Sequence, residues 1–417
     1  MIYKVIAPER IRAEIHLPAS KSISNRALVL HALAGGDCMP ENLSDCDDTV
    51  VTIKALRDKP EVVDIMAAGT AMRFLTAYYS VTPGTRIITG TERMRHRPIG
   101  ILVEALRSLG AQIDYVGEDG FPPLRITGKP LEGKEIALPG NVSSQYISAL
   151  LMMGGALPQG LTLHLTGHII SRPYIELTMQ LMRDFGAEVS WISDDSICVK
   201  GGGYQDTPYY IESDWSAASY WYEIAALSTK AHIELPGLFA NSCQGDSKGA
   251  KLFEKLGVKT EFIKGGVRLT KTSECAKRLD ANLVEMPDLA QTFVVTCCMK
   301  NMPFRFTGLQ SLRIKETDRI SALMTELRKL GYVLKAEGDE ALLWEGERCI
   351  VDDAPVISTY EDHRMAMAFA PASFVFENLQ IANPEVVSKS YPHFWEDLKA
   401  AGFKVYSSFA NDAIGII

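Results

Sequence analysis

Five glycines, Gly110, Gly186, Gly257, Gly331 and Gly402, each close a helical run, and they recur roughly every 71 to 76 residues. The runs end alike: Leu106-Arg107-Ser108-Leu109, Met182-Arg183-Asp184-Phe185, Phe253-Glu254-Lys255-Leu256, Leu327-Arg328-Lys329-Leu330 and Leu398-Lys399-Ala400-Ala401. A glycine just past the last apolar turn fits a left-handed C-terminal cap. A repeat of this period means that one supersecondary unit is built again and again along the chain. After each stop come short alternating runs such as Ala111-Gln112-Ile113-Asp114-Tyr115, then a glycine- or proline-marked turn and more strand.

A second series of helices opens at Lys21, Gly69-Thr70, Ser143, Asp214, Asp288 and Asp362. From the second opening onward the spacing is again roughly 71 to 74 residues, but the first gap is only about 49, so the first unit lacks the roughly 25 residues of a β-hairpin. These helices are apolar nearly all round, as in Tyr146-Ile147-Ser148-Ala149-Leu150-Leu151-Met152-Met153, which predicts burial. The glycine-stopped helices are amphipathic: in Ile320 to Leu330 apolar residues fall at i, i+3, i+4 and i+7. At 417 residues the chain exceeds one ordinary core, so six α/β units divide into two domains of three.

Polar strings stand at several of these openings: Lys21-Ser22-Ile23-Ser24-Asn25-Arg26, Ser143-Ser144-Gln145, Lys315-Glu316-Thr317-Asp318-Arg319 and Asp362-His363-Arg364. A serine at a helix start is ordinarily a plain cap. A cation there opposes the helix dipole, and its presence points to an anion bound on the unpaired amides. The same anomaly is expected at Arg93, Arg95, Arg97, Arg313, Lys315, Arg319, Arg364 and Lys389, each read as standing at a helix start. Gly69 would let a ligand approach the backbone. Asp288 and Glu316, carboxylates among cations, are candidates for proton transfer, although either could simply favour its helix dipole.

Other chemistries find no support. No nucleotide-binding P-loop occurs, and the eight histidines and eight cysteines show no metal-ligand spacing. Cys297 and Cys298 sit in an apolar run and read as packing residues. A formal charge of −8 without a basic block argues against nucleic acid. The longest apolar run, Tyr146 to Leu157, is too short to cross a bilayer, and the N-terminus lacks a signal-peptide core. Reduced thiols fit a cytoplasmic enzyme.

The strings above, with Gly69-Thr70-Ala71-Met72-Arg73, Arg93-Met94, Arg97-Pro98-Ile99-Gly100 and Asp362-His363-Arg364-Met365-Ala366-Met367, closely resemble the 5-enolpyruvylshikimate-3-phosphate synthase family, in the family's order from about Leu17 to Phe394. The resemblance implies the two-domain enolpyruvyl transferase fold: α/β, six βαβαββ-type units, three per domain, around buried parallel helices, with the first unit shortened. It places one domain at 1–20 and 212–417, carrying the phosphoenolpyruvate clamp and the base, and the other at 21–211, carrying the shikimate 3-phosphate site. Members close their domains over shikimate 3-phosphate and then phosphoenolpyruvate.

By position, the resemblance assigns Lys21, Ser22, Arg26, Ser143, Ser144, Gln145, Ser171, Asp288 and Lys315 to shikimate 3-phosphate. It assigns Lys21, Gly69, Arg97, Gln145, Arg319, Arg364 and Lys389 to phosphoenolpyruvate. Asp288 becomes the acceptor of the 5-hydroxyl proton, Glu316 the donor to the enol methylene, and Lys21 a third catalytic group. No cofactor or metal is implied, and the expected state is a cytoplasmic monomer acting on small molecules, without nucleic acid or membrane.

The chain departs from the family at Ala67, where many members have Asn, at Phe74, where proline often follows Met-Arg, and at Ser311-Leu312. Inhibition by glyphosate, which occupies the phosphoenolpyruvate site in sensitive members, is therefore expected to be weaker here. A UDP-N-acetylglucosamine enolpyruvyl transferase would open with Lys-Asn and carry a loop cysteine, and Thr91 to Gly100 has none. A non-catalytic binding relative is opposed by intact Asp288 and Glu316.

Overall fold

In the computed structural model, which describes residues 1–170, 172–408 and 415–416, the chain forms two compact units. Residues 1–18 with 213–417 make one, and residues 19–212 the other.

Among the described residues four of five sheets share one strand order, in which a parallel pair is extended by an antiparallel hairpin whose later strand lies inside. In the unit of 19–212, Val62–Asp64 pairs parallel with Gly84–Thr89, then antiparallel Leu124–Gly128 and Gln112–Tyr115 follow. Glu135–Pro139, Leu161–Thr166, Ser196–Val199 and Val189–Ser193 repeat the pattern. In the other unit the same order is taken by Leu279–Asn282, Phe304–Thr307, Ala341–Trp344 and Lys335–Glu337.

The N-terminal segment completes two further sheets. Arg10–Glu14 lies parallel to Lys230–Pro236, ahead of Gly266–Lys271 and Val258–Ile263. Ile2–Ile6 fills the inner place between Gln380–Ala382 and Lys404–Ser408, in the sheet that begins with Val356–Ile357.

One segment stands apart. Helices Lys21–Ala34 and Asp47–Asp58 are accompanied by a single parallel bridge, Glu41 to Tyr210, and Val62–Asp64 begins only three residues after the second helix. A hairpin has no room there.

Each sheet is spanned by two helices of different character. Those between the first two strands, such as Gly69–Val81, Ser144–Ala156, Trp215–Leu227 and Ala290–Met299, are buried along almost their whole length. Those between the second and third strands bury one stripe: in Arg319–Lys329 it is Ile320, Leu323 and Leu327. The stop glycines adopt positive φ, between 85° at Gly257 and 100° at Gly402, a region that β-carbons disfavour. The core of the larger unit is aromatic, with Phe253 stacked on Phe293 at 4.7 Å and Trp215 and Trp221 also buried in it.

Candidate active site

In the unit of 19–212 three buried helices begin together. Arg26, in the second turn of Lys21–Ala34, donates to Ser148 Oγ at 3.0 Å in the second turn of Ser144–Ala156. Gln145 Nε2 donates to Thr70 Oγ1 at 3.2 Å, joining the first turns of Ser144–Ala156 and Gly69–Val81. Like turns meet, so the three helices are parallel and their positive ends converge.

Lys21 and Ser22 occupy the first turn, after Ser20, whose hydroxyl caps the helix. Lys21 Nζ lies 3.8 Å from Asp48 Oδ2. Arg26 is buried, donating also to Thr178 Oγ1 at 2.7 Å and to the Ser22 carbonyl at 2.9 Å. Its guanidinium stands 5.3 Å from the ring centre of Phe74. Phe74 is therefore absorbed into the core as the platform under Arg26. Ser143 caps its helix, accepting from the Gln145 amide at 3.4 Å, and Ser144 is the additional hydroxyl beside it. Ser171 lies outside the described residues.

Arg97 lies against Gly69, and Arg73 ties together the backbone on either side of it. Arg73 donates to the Gly69 carbonyl at 3.2 Å and to the Pro98 carbonyl at 2.9 Å, and Tyr146 donates to that same carbonyl at 2.5 Å. Burial pulls the Arg73 pKa down to about 10, and the neighbouring Arg97 charge adds to the pull. Arg73 is committed to the Gly69 and Pro98 carbonyls, with the Arg97 charge near enough to be felt.

In the unit of 1–18 and 213–417 the same construction recurs. Asp214 caps Trp215–Leu227, and Asp362 caps His363–Phe369 by accepting from the Arg364 amide at 2.9 Å. Asp288 lies in the short 3-10 turn Pro287–Leu289 that leads into Ala290–Met299.

Around Asp288 three cations converge: Arg364 Nη2 at 3.0 Å from Oδ2, and Arg319 Nη1 at 3.1 Å and Lys315 Nζ at 3.6 Å from Oδ1. Arg319, 1% exposed, also donates to Glu316 Oε2 at 2.9 Å and to Asp362 at 2.7 Å. Burial works against the Arg319 charge, but Asp362, Glu316 and Asp288 outweigh it and raise its pKa. Lys315, Arg319 and Arg364 thus interleave with Asp288, Glu316 and Asp362 in a balanced lattice of charge. Lys389 donates to the Glu361 carbonyl at 2.9 Å.

The expected placement of the cations needs correction. Arg95 closes the one-turn helix Glu92–Arg95 rather than opening it, whereas Arg93 is its second residue after the cap Thr91. Arg313 and Lys389 likewise close short 3-10 turns, Gln310–Ile314 and Pro384–Lys389, where a cation complements the dipole. Sequence reasoning gave no separate role to Tyr146, the second ligand of the Pro98 carbonyl, or to Asp246. Asp246 accepts from the Ser216 hydroxyl, and burial, then the Asp288 charge, push its pKa up to about 7. Its only sequence signal is an acidic residue in a short Gln-Gly-Asp string that reads as a turn.

A family model described as EPSP synthase (3-phosphoshikimate 1-carboxyvinyltransferase) matches residues 5–58 and 57–398. A 3-phosphoshikimate 1-carboxyvinyltransferase of Bacteroides fragilis is 64% identical over 405 residues, covering 97% of this chain and 99% of the relative. Another, of Idiomarina loihiensis, is 36% identical over 418 residues, covering 93% and 96%. Among solved structures, an EPSP synthase from Acinetobacter baumannii superposes with a TM-score of 0.78 at 22% identity, covering 97% of this chain and all of that one.

Proposed function

The chain belongs to the EPSP synthase family, and on that premise we propose how its residues transfer the enolpyruvyl group of phosphoenolpyruvate to the 5-hydroxyl of shikimate 3-phosphate. The enzyme is a 3-phosphoshikimate 1-carboxyvinyltransferase, and the products are 5-enolpyruvylshikimate 3-phosphate and phosphate.

The two substrates bring two phosphates and two carboxylates, about five or six negative charges at neutral pH. In this reading Lys21, Ser22, Arg26, Ser143, Ser144 and Lys315 take shikimate 3-phosphate, with its phosphate on the converging helix N-termini. Arg97, Arg319, Arg364 and Lys389 take phosphoenolpyruvate, whose close approach to the backbone is at Gly69. Lys21 and Gln145 contact both.

The observation that carries the mechanism is the triple ion pairing of Asp288 with Lys315, Arg319 and Arg364. Anionic substrate oxygens compete for those same cations. Their arrival loosens the pairing of Asp288 and, through Arg319, of Glu316, and so releases both carboxylates for proton transfer. Glu316, once freed from Arg319, takes up a proton from solvent and delivers it to C3 of phosphoenolpyruvate, while Asp288 accepts the 5-hydroxyl proton and the oxygen attacks C2. In the second step C3 returns its proton, the C2–O bond to phosphate breaks, and the enol ether remains. Lys21 stabilises charge on the departing phosphate.

Glyphosate, a phosphonate-carboxylate, competes for the phosphoenolpyruvate cations. No helix among the described residues is long and apolar enough to cross a membrane. In this reading the protein is a cytoplasmic monomer acting on small molecules. The test is to supply both substrates and follow inorganic phosphate together with the product mass. Stoichiometric phosphate and an enolpyruvyl ether are expected, and no release with both present would refute the reading.

A further inference from the structure

Tyr360 and Glu361 are consecutive non-glycine residues, both at φ +55°. β-Carbons disfavour this left-handed region, so two such residues in succession persist only where their surroundings over-determine them. The turn they form leads directly into functional groups. The Glu361 carbonyl receives Lys389 Nζ, the next residue is the capping Asp362 that takes Arg319, and Arg364 follows two positions later.

Glu326 holds the turn from the neighbouring helix Arg319–Lys329, where it is fully buried. Its Oε1 accepts from the Tyr360 hydroxyl at 2.6 Å, and its Oε2 accepts from the Ser358 amide at 2.9 Å and from Lys329 Nζ at 2.6 Å. Burial, then the bond to Glu326, push the Tyr360 pKa up to about 12, so the hydroxyl remains a donor at neutral pH. A buried carboxylate is costly unless its oxygens are satisfied. Two of the three donors that satisfy this one belong to the segment bearing the turn.

We propose that Glu326 is a positioning residue for Arg364 and Lys389, acting through the Tyr360-Glu361 turn. It touches no substrate. Its effect is to fix where the Glu361 carbonyl holds Lys389 and where Asp362 starts the helix that carries Arg364. The inference rests on the reading that these two cations bind phosphoenolpyruvate.

Steady-state kinetics of Glu326→Ala, Glu326→Gln and Tyr360→Phe test it, with wild-type turnover as the separate control for the reaction itself. Glu326→Ala should raise the KM for phosphoenolpyruvate about tenfold, as expected when charged hydrogen bonds are misplaced. The KM for shikimate 3-phosphate should stay within about twofold. Glu326→Gln should restore near-normal behaviour, because its oxygen can take the two nitrogen donors and its amide can donate to the Tyr360 oxygen. Tyr360→Phe deletes one hydroxyl and should give about a threefold rise, so it decides the matter if Glu326→Ala does not fold. If wild type turns over and Tyr360→Phe leaves the phosphoenolpyruvate KM unchanged, or shifts both KM values equally, the proposal is overturned.

Discussion

The guanidinium of Arg97 lies against the Cα of Gly69, so close that a β-carbon built there would stand 2.4 Å from Nη1. Arg73 and Tyr146 hold the Pro98 carbonyl in place, while Arg97 is a long, partly buried side chain, so the clash is relieved by the guanidinium moving away.

Gly69→Ala should therefore push Arg97 away from the phosphoenolpyruvate position proposed for it. Loss of one charge-assisted hydrogen bond corresponds to about a ten- to hundredfold rise in the KM for phosphoenolpyruvate. Shikimate 3-phosphate affinity, measured by calorimetry, should change little. Equal loss for both substrates would mean that the helix start itself had collapsed.

Asp246 should make stability depend on pH in a defined direction. Its pKa, about 7, lies above the ordinary carboxylate value near 3.9, chiefly through burial and secondarily through Asp288. Between those values the folded state holds a proton that the unfolded chain has released, so stability falls as pH rises through the window and levels off above it. Asp246→Asn mimics the protonated form, and its stability relative to wild type should improve by ~1–3 kcal/mol between pH 5 and pH 8. Urea titrations giving the same difference at both pH values would contradict this.

Two glycines at positive φ separate backbone conformation from crowding. Gly338, at φ +60°, has open space where a β-carbon would go, whereas at Gly331, φ +86°, it would meet Val351 Cγ2 at 2.8 Å and the Cys349 carbonyl at 3.1 Å. Gly338→Ala should cost about 1 kcal/mol and Gly331→Ala about 2–4 kcal/mol. Equal costs by chemical denaturation would show that the Gly331 surroundings relax freely.

The repeat was legible because it is written locally. The stop glycines at 110, 186, 257, 331 and 402 and the capping residues Ser143, Asp214 and Asp362 mark helix ends by short-range chemistry, and they lie where the sequence puts them. The shortened first unit was visible as a spacing, and the structure goes from helix Asp47–Asp58 straight to Val62–Asp64. What stayed hidden depends on distant partners. Phe74 departs from the family's proline, and only the fold sets it against Arg26, while nothing in the sequence distinguishes Glu326 from other charges on its amphipathic helix. Arg95 was misplaced because a four-residue helix has no period to detect.

In the proposed mechanism Asp288, gripped by Lys315, Arg319 and Arg364, is the base that takes the 5-hydroxyl proton. Phosphate release by Asp288→Asn, measured with both substrates saturating and alongside calorimetric titration of shikimate 3-phosphate, tests it most directly. The predicted result is a loss of turnover of about 10² to 10⁴, with shikimate 3-phosphate still bound. A variant that binds normally and turns over at close to the wild-type rate would contradict the account.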